Sequence, residues 1–278
     1  IKGSQVDFDI LGSNAQDYPV LPTIDEGLSL SLSVEELRDL IKHTIIAVSY
    51  DETKQFLNGI MIKNEQDKLL FVSTDGYRLA LKQQTIPPLN NEFNSIVPFK
   101  AVSELNRILQ GLDGEKNVEI IISENQIVFK LESFILISRL IQGQFPDYKQ
   151  VVPKSSENKF LIDRQQFLAA AERAAIIATA SNNVVRFLFD NNKLEIFANA
   201  KGLGDFKEEI EIDRKNEDGE AVKIAFNVRL VLDVIKTLSS EKIMLEFNNE
   251  LSPCKISLEN DETFTYIIMP IRTTDYQN

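Results

Sequence analysis

The chain has little of what metal proteins and most enzymes require. Of 278 residues one is cysteine, Cys254, and one is histidine, His43. A lone thiol cannot close an internal disulfide, which suits a reducing compartment such as the cytoplasm. No Cys/His spacing fits zinc, and no metal or cofactor is expected. A Cys–His dyad would have to join residues more than 200 positions apart. His43 falls on a helical stretch beside Ile41 and Thr44, and Cys254 follows Pro253 at a strand start, so both read as packing or surface residues. Gly202-Leu203-Gly204 is no phosphate loop, because neither a third glycine nor a Lys-Ser/Thr end follows. Carboxylates abound without a motif that would pair two of them for acid–base work. No apolar run approaches the roughly 18 residues of a membrane span, and no signal-peptide pattern opens the chain. The expectation is a protein that is not an enzyme.

What is present is an ordinary globular mixture, 43% hydrophobic and 26% charged, with enough length for two domains that each bury a core. The net charge of −12 argues against a phosphate-gripping surface unless the basic residues are segregated. The sequence starts at Ile1, inside an alternating segment, and reads as part of something longer.

Period-2 patterning dominates. Val118–Ile122, Gln126–Leu131, Phe134–Leu140, Val185–Phe189, Lys193–Phe197 and Phe264–Ile268 read as strands. Four stretches switch to helical spacing. Ser33-Val-Glu-Glu36 is a capping box that opens a helix to about Val48, and Asp163-Arg-Gln-Gln166 does the same ahead of Phe167–Ile177. Helices over Phe99–Leu109 and Asn227–Leu238 follow the strands Ser95–Val97 and Val222–Phe226, with Asn227 as N-cap. These elements recur. Ser33 and Asp163, Val97 and Ala225, and Phe134 and Phe264 lie about 130 residues apart. Asp17-Tyr18, Asp147-Tyr148 and Asp275-Tyr276 close successive units at the same interval, so a first unit of roughly 110 further residues is expected ahead of Ile1. Each unit supplies a sheet face and two helices to cover it, an α+β domain.

Three strings carry a family resemblance. Phe71-Val-Ser-Thr-Asp-Gly-Tyr-Arg-Leu-Ala80 resembles the middle-domain signature of bacterial beta sliding clamps. Ser138-Arg-Leu-Ile-Gln-Gly-Gln-Phe-Pro-Asp-Tyr148, followed by Val151-Val-Pro153, resembles their passage from second to third domain. Tyr266-Ile-Ile-Met-Pro-Ile-Arg272 is similar to their C-terminal strand and tail. With Phe56-Leu-Asn-Gly59 these strings fit in order from Gly3 to Arg272. The resemblance implies tandem DNA-clamp domains, each with antiparallel sheets outside and two helices on the inner face. Residues 1–26 would be the closing strand and linker of a first domain, 27–154 the middle domain and 159–278 the C-terminal domain. It further implies a bacterial, cytoplasmic and nucleoid-associated processivity factor. Such a protein is a homodimer ring when full length, encircles duplex DNA and tethers the replicative polymerase (DNA polymerase III), the clamp loader and repair proteins through short peptides, with no membrane contact.

The resemblance also assigns sites. A peptide pocket would comprise Leu57, Thr74, Gly76, Tyr77, Arg78 and Leu79 from the middle domain, and Pro146, Gln150 and Val151 from the linker. Ile267, Ile268, Met269, Pro270, Ile271 and Arg272 would come from the C-terminal strand. Apolar walls and an adaptable Met269 suit Leu and Phe side chains, with Arg78 and Arg272 holding polar groups at the rim. Gln150 stands where many clamps carry Arg. Read without the resemblance, Asp75-Gly76 is a hairpin turn with a solvated Arg78 beyond it, and Ile267–Ile268 are strand core ended by Pro270.

The four helical stretches (33–48, 99–110, 163–178, 226–238) carry eight basic and seven acidic residues, leaving 22 basic and 35 acidic elsewhere. The basic residues are Arg38, Lys42, Lys100, Arg107, Arg164, Arg173, Arg229 and Lys236. In a clamp they would face DNA weakly enough to permit sliding; otherwise they are solvated helix faces. Phe8 and Ile10, with Ile176 and Ile177, match the apolar dimer seam of clamps, or else are ordinary core. Without its first domain the chain would not close a ring. The rival classes are a β-rich peptide-binding adaptor that never encircles DNA, and a hydrolase built on a buried carboxylate pair or a metal.

Overall fold

The computed structural model describes residues 1–18, 27–132, 134–216 and 219–273. The third Asp-Tyr mark, Asp275-Tyr276, lies outside them, as do residues 19–26 of the expected first-domain linker.

Two similar modules follow one another. The first contains β1 (Leu28–Ser33), α1 (Val34–Thr44), β2 (Gly59–Glu65), β3 (Lys68–Thr74), β4 (Arg78–Thr85), β5 (Asn94–Pro98), α2 (Phe99–Leu109), β6 (Asn117–Ile122), β7 (Gln126–Leu131) and β8 (Phe134–Arg139). The second contains β9 (Asn158–Asp163), α3 (Arg164–Ala178), β10 (Val184–Asp190), β11 (Lys193–Ala200), β12 (Gly204–Glu211) and β13 (Asp213–Arg214). It continues with β14 (Val222–Asn227), α4 (Val228–Thr237), β15 (Lys242–Phe247), β16 (Cys254–Leu258) and β17 (Asp261–Ile268). Apart from the two-residue β13, the order is the same in both. The α+β class and the expected strands and helices are therefore present.

The helices start where the caps lie. The Ser33 hydroxyl accepts the Glu36 N–H at 3.1 Å, and the Glu36 carboxylate accepts the Ser33 N–H at 2.8 Å, a complete capping box. Asp163 forms only half of one, accepting the Gln166 N–H at 2.8 Å. Asn227 caps α4 through the Arg229 N–H. The first helix stops short of the expected Val48. After Thr44, whose hydroxyl donates to the Leu40 carbonyl at 2.7 Å, the chain tightens into a single turn at Ile45–Ala47.

Leu37, Leu40, Ile41 and Thr44 of α1 recur at helical spacing and are buried, as are Phe167, Ala170, Ala171, Ala174 and Ala178 of α3. Each pair of helices closes a separate apolar core. The helices pack α1 on α2 and α3 on α4, and α1 also meets α4 across the junction.

All strand pairs are antiparallel. Two four-stranded sheets run β1-β6-β7-β8 and β12-β11-β10-β14. The third, β13-β9-β15-β16-β17-β4-β3-β2-β5, crosses from one module into the other. Its crossing point pairs Phe264 with Lys82, Tyr266 with Ala80 and Ile268 with Arg78. Beside it sits the only histidine of the sequence. The buried His43 ring lies 5.1 Å from Phe264, and its Nδ1 is 3.1 Å from the Asp39 carboxylate. That carboxylate also meets the Lys82 ammonium at 3.1 Å, and Lys82 donates to the Thr263 hydroxyl at 2.9 Å. Burial works to raise the Asp39 pKa, but His43 and Lys82 together hold it down to about 2.

Candidate peptide groove and helix faces

The turn between β3 and β4 is built by Asp75 and Gly76. Asp75 Oδ1 accepts the N–H groups of Tyr77 and Arg78 at 2.9 and 3.0 Å. The Thr74 hydroxyl accepts the Gly76 N–H and donates to the Arg78 carbonyl at 2.6 Å. Gly76 takes φ +91°, a conformation that suits glycine. The turn then reaches across the junction, because the Met269 N–H donates to the Tyr77 carbonyl at 2.9 Å.

Between this turn, the linker and the end of β17 lies an apolar groove of about 180 Å³. Its lining is Leu57, Thr74, Gly76, Arg78 and Leu79, then Pro146, Asp147, Tyr148 and Val151, then Ile267 and Met269. Nine of the fifteen residues assigned to the pocket are thus brought together. The other six stand apart for physical reasons. Ile268 is the correction that strand alternation dictates: Ile267 faces the small junction core beneath the groove, so its neighbour points the opposite way into the second module's core. Tyr77 is largely exposed at the turn, and Gln150 is turned aside to donate to Asp147 at 3.1 Å. Pro270, Ile271 and Arg272 lead away from the groove, with the Ile271 N–H donating to the Ala225 carbonyl at 2.8 Å on β14. Asp147 and Tyr148 were missed. They belong to the repeated Asp-Tyr mark, and that repetition was the available signal. Burial, reinforced by nearby Glu65, pushes the Tyr148 hydroxyl pKa up.

Arg78 does not stand at the rim as a polar hook. Its side chain, one-tenth exposed, runs inward, with Nε 3.1 Å from Asp75 and Nη1 2.5 Å from Asp233 on α4. Burial opposes the charge, but the buried Tyr266 hydroxyl, Asp233 and Asp75 raise the Arg78 pKa above its ordinary value. Arg78 therefore ties the groove wall to the helix layer.

The eight helix cations separate into three groups. Arg38 donates to the carbonyls of Leu109 and Leu112 at the end of α2, and Arg164 to the Ser240 carbonyl. Arg107, Arg173 and Lys236 pair with Glu104, Glu208 and Glu172. Lys42, Lys100 and Arg229 are exposed with no side-chain partner among the described residues. Of the seam residues, Ile176 on α3 is 71% exposed, which sets aside the core alternative for it, and Phe8 and Ile10 are exposed in the opening segment. Ile177 packs partly against the second core.

Among the described residues no group of His, Cys, Asp and Glu is placed to hold a metal, and no helix is long and apolar enough to cross a membrane. Buried Cys254 pairs with Ile268 at one end of β17 while His43 packs against Phe264, four residues back along that strand, and burial raises the thiol pKa.

Two α+β modules joined by a shared sheet, with paired helices in each and a groove at their joint, define a tandem DNA-clamp architecture. The central domain of the DNA polymerase III beta subunit matches residues 31–147, and the C-terminal domain of the same subunit matches residues 149–272. The beta sliding clamp of Bacillus subtilis is 34% identical over 276 residues, which is 98% of this chain and 72% of that protein. That of Staphylococcus aureus is 31% identical over 274 residues, at the same coverage. Among solved structures, the Bacillus subtilis sliding clamp superposes with a TM-score of 0.88 at 34% identity, covering 94% of this chain and 68% of that one. A putative DNA polymerase III beta subunit from Eubacterium rectale gives 0.89 at 25% identity, covering 98% and 73%. The chain belongs to the bacterial beta sliding clamp family. It is a DNA polymerase sliding clamp by descent, in a family of non-catalytic processivity factors.

Proposed function

We propose that this chain works as part of a ring that encircles duplex DNA, and that its groove tethers the replicative polymerase, the clamp loader and repair proteins by short peptide segments. The observation that carries the reading is the groove itself, an apolar slot assembled from four separate stretches of chain, including a methionine that can adapt its shape. The ring is a homodimer in this reading, with Ile176 and Ile177 of one subunit against Phe8 and Ile10 of the next, a heterologous contact that closes. Ile176, exposed on α3, supports it. The setting is the bacterial cytoplasm, on the nucleoid.

Inside the ring, phosphate contact comes chiefly from Lys42, Lys100 and Arg229, the exposed helix cations without a side-chain partner among the described residues. Three such contacts are weak and blind to sequence, which permits sliding. The remaining five are engaged with carboxylates or helix-end carbonyls and act as structural ties.

The test is titration of the chain with a labelled peptide carrying Gln, Leu and a terminal Phe. Met269→Ala is expected to weaken binding, and affinity untouched by it would remove the groove from consideration. Duplex encirclement is tested separately by retention of the ring-competent protein on circular DNA and its loss once the DNA is cut. Retention that ignores the cut would favour an adaptor that does not encircle DNA.

A further inference from the structure

Asp233 lies on α4 in the second module and lines no part of the groove, yet its carboxylate is 2.5 Å from Nη1 of Arg78, the one cation that does. From there the connections run without a break. Arg78 Nε meets Asp75 at 3.1 Å. Asp75 holds the N–H groups of Tyr77 and Arg78, and the Tyr77 carbonyl receives the Met269 N–H. One wall of the groove and the methionine of the opposite wall are therefore set by a chain of bonds that starts on a helix beyond both. The Tyr266 hydroxyl, which donates to the Leu230 carbonyl at 3.0 Å, fastens the end of β17 to the same helix.

We propose that Asp233 is a positioning residue of the groove and that its carboxylate, by holding Arg78 down, sets the affinity for a partner peptide. This rests on the reading of the groove as a peptide site. The physical reason is that a nearly buried guanidinium keeps its place only while its charge is matched. With Asp233 present, Arg78 is anchored at both ends and its aliphatic stem forms groove wall. With Asp233 neutral, Asp75 still meets Nε but Nη1 loses its anionic partner, and that end of the guanidinium swings toward water by way of a slot of only about 180 Å³ that it would partly fill. Side chains that lock a recognition surface from outside it commonly matter as much as those that touch the ligand.

The experiment uses the 278-residue chain and the same labelled Gln/Leu/Phe peptide, read by fluorescence anisotropy. Asp233→Asn is expected to weaken binding roughly tenfold, within the range that coupled sites show, and Asp233→Glu to recover most of the loss. Combining Asp233→Asn with Arg78→Met should weaken binding no more than Arg78→Met alone, because both changes act through one bond; independent structural damage would add. If Arg78→Met does not fold, Arg78→Lys replaces it in the cycle. The Met269 methyl resonance of the free protein should also move in Asp233→Asn and return in Asp233→Glu. Unchanged affinity in Asp233→Asn, or additive losses, overturns the proposal while leaving the groove intact. Failure of the unaltered chain to bind any such peptide overturns the groove reading and this proposal together.

Discussion

The two modules reach one architecture with different volumes. In the first, α1 presents Leu37, Leu40 and Ile41 to a core that includes Ile60 and Ile62 of β2. At the matching places of the second, α3 presents Phe167, Ala170 and Ala171 to a core that includes Val185 and Phe187 of β10. Phe167 and Phe187 replace Leu37 and Ile62, while Ala170, Ala171 and Val185 replace Leu40, Ile41 and Ile60, so medium side chains give way to a mixture of large and small ones. Seven phenylalanines occupy the second core against two in the first, and Phe160 stacks on Phe189 with ring centroids 4.6 Å apart. Periodicity is conserved while side-chain identity is not, which is the freedom that cores allow.

The comparison breaks first at the rings. Phe160→Ala removes a side chain in contact with two others and should cost about 3–5 kcal/mol, against about 2–5 kcal/mol for Leu40→Ala in the aliphatic core. Denaturant unfolding followed by hydrogen exchange in each module measures both. A larger loss for Leu40→Ala would show that ring packing does not set the second core apart. Next in size is Ala170→Leu, which places the first module's residue into the second and should overpack it by about 1–3 kcal/mol. Adding Phe187→Ile should return part of that loss in the same assay, and a purely additive result would mean the two layers do not compensate.

The helix starts differ more gently. Ser33→Ala removes the hydroxyl that accepts the Glu36 N–H and donates to the Glu36 carboxylate and should cost about 1 kcal/mol, with Asp163→Ala costing less because it removes a single bond; thermal melts of the paired variants order them. The smallest effect is expected in acid. Asp39 has no counterpart in the second module, where Ala169 stands at the equivalent place. Its carboxylate has a native pKa of about 2 against an ordinary 3.8. The sign follows from linkage: a depressed carboxylate stabilises fully above its unfolded pKa and loses that contribution as pH falls from near 3.8 to about 2. Asp39→Asn should therefore flatten the stability profile in that window. A profile identical to that of the unaltered chain would deny the Asp39–Lys82 contact any weight at the junction.

Local order was legible in the residues, and long-range partnership was not. Ser33, Asp163 and Asn227 announced the helices because capping chemistry is confined to a few neighbouring positions, and alternation announced strands such as Gln126–Leu131 to the residue. The repeat of about 130 residues carried the two-module organisation. Nothing local distinguishes β17 as a strand that pairs across modules from β17 as a sheet edge, so the nine-stranded sheet was unforeseen. The groove showed the same limit. Its two main strings were quoted, but which side of β17 faces it depends on the register with β4, and Ile268 was accordingly placed on the wrong face. Arg78 was read as a rim residue because its second carboxylate lies 155 residues away.

The continuous sheet carries a mechanical consequence. A pull that separates the modules meets the β17–β4 ladder with its hydrogen bonds loaded together, and not a tether that can pay out slack one residue at a time. The boundary that the repeat draws through the sequence is therefore the wrong place to look for compliance. Under tension the pair should behave as one stiff arc, and give should be sought at its ends.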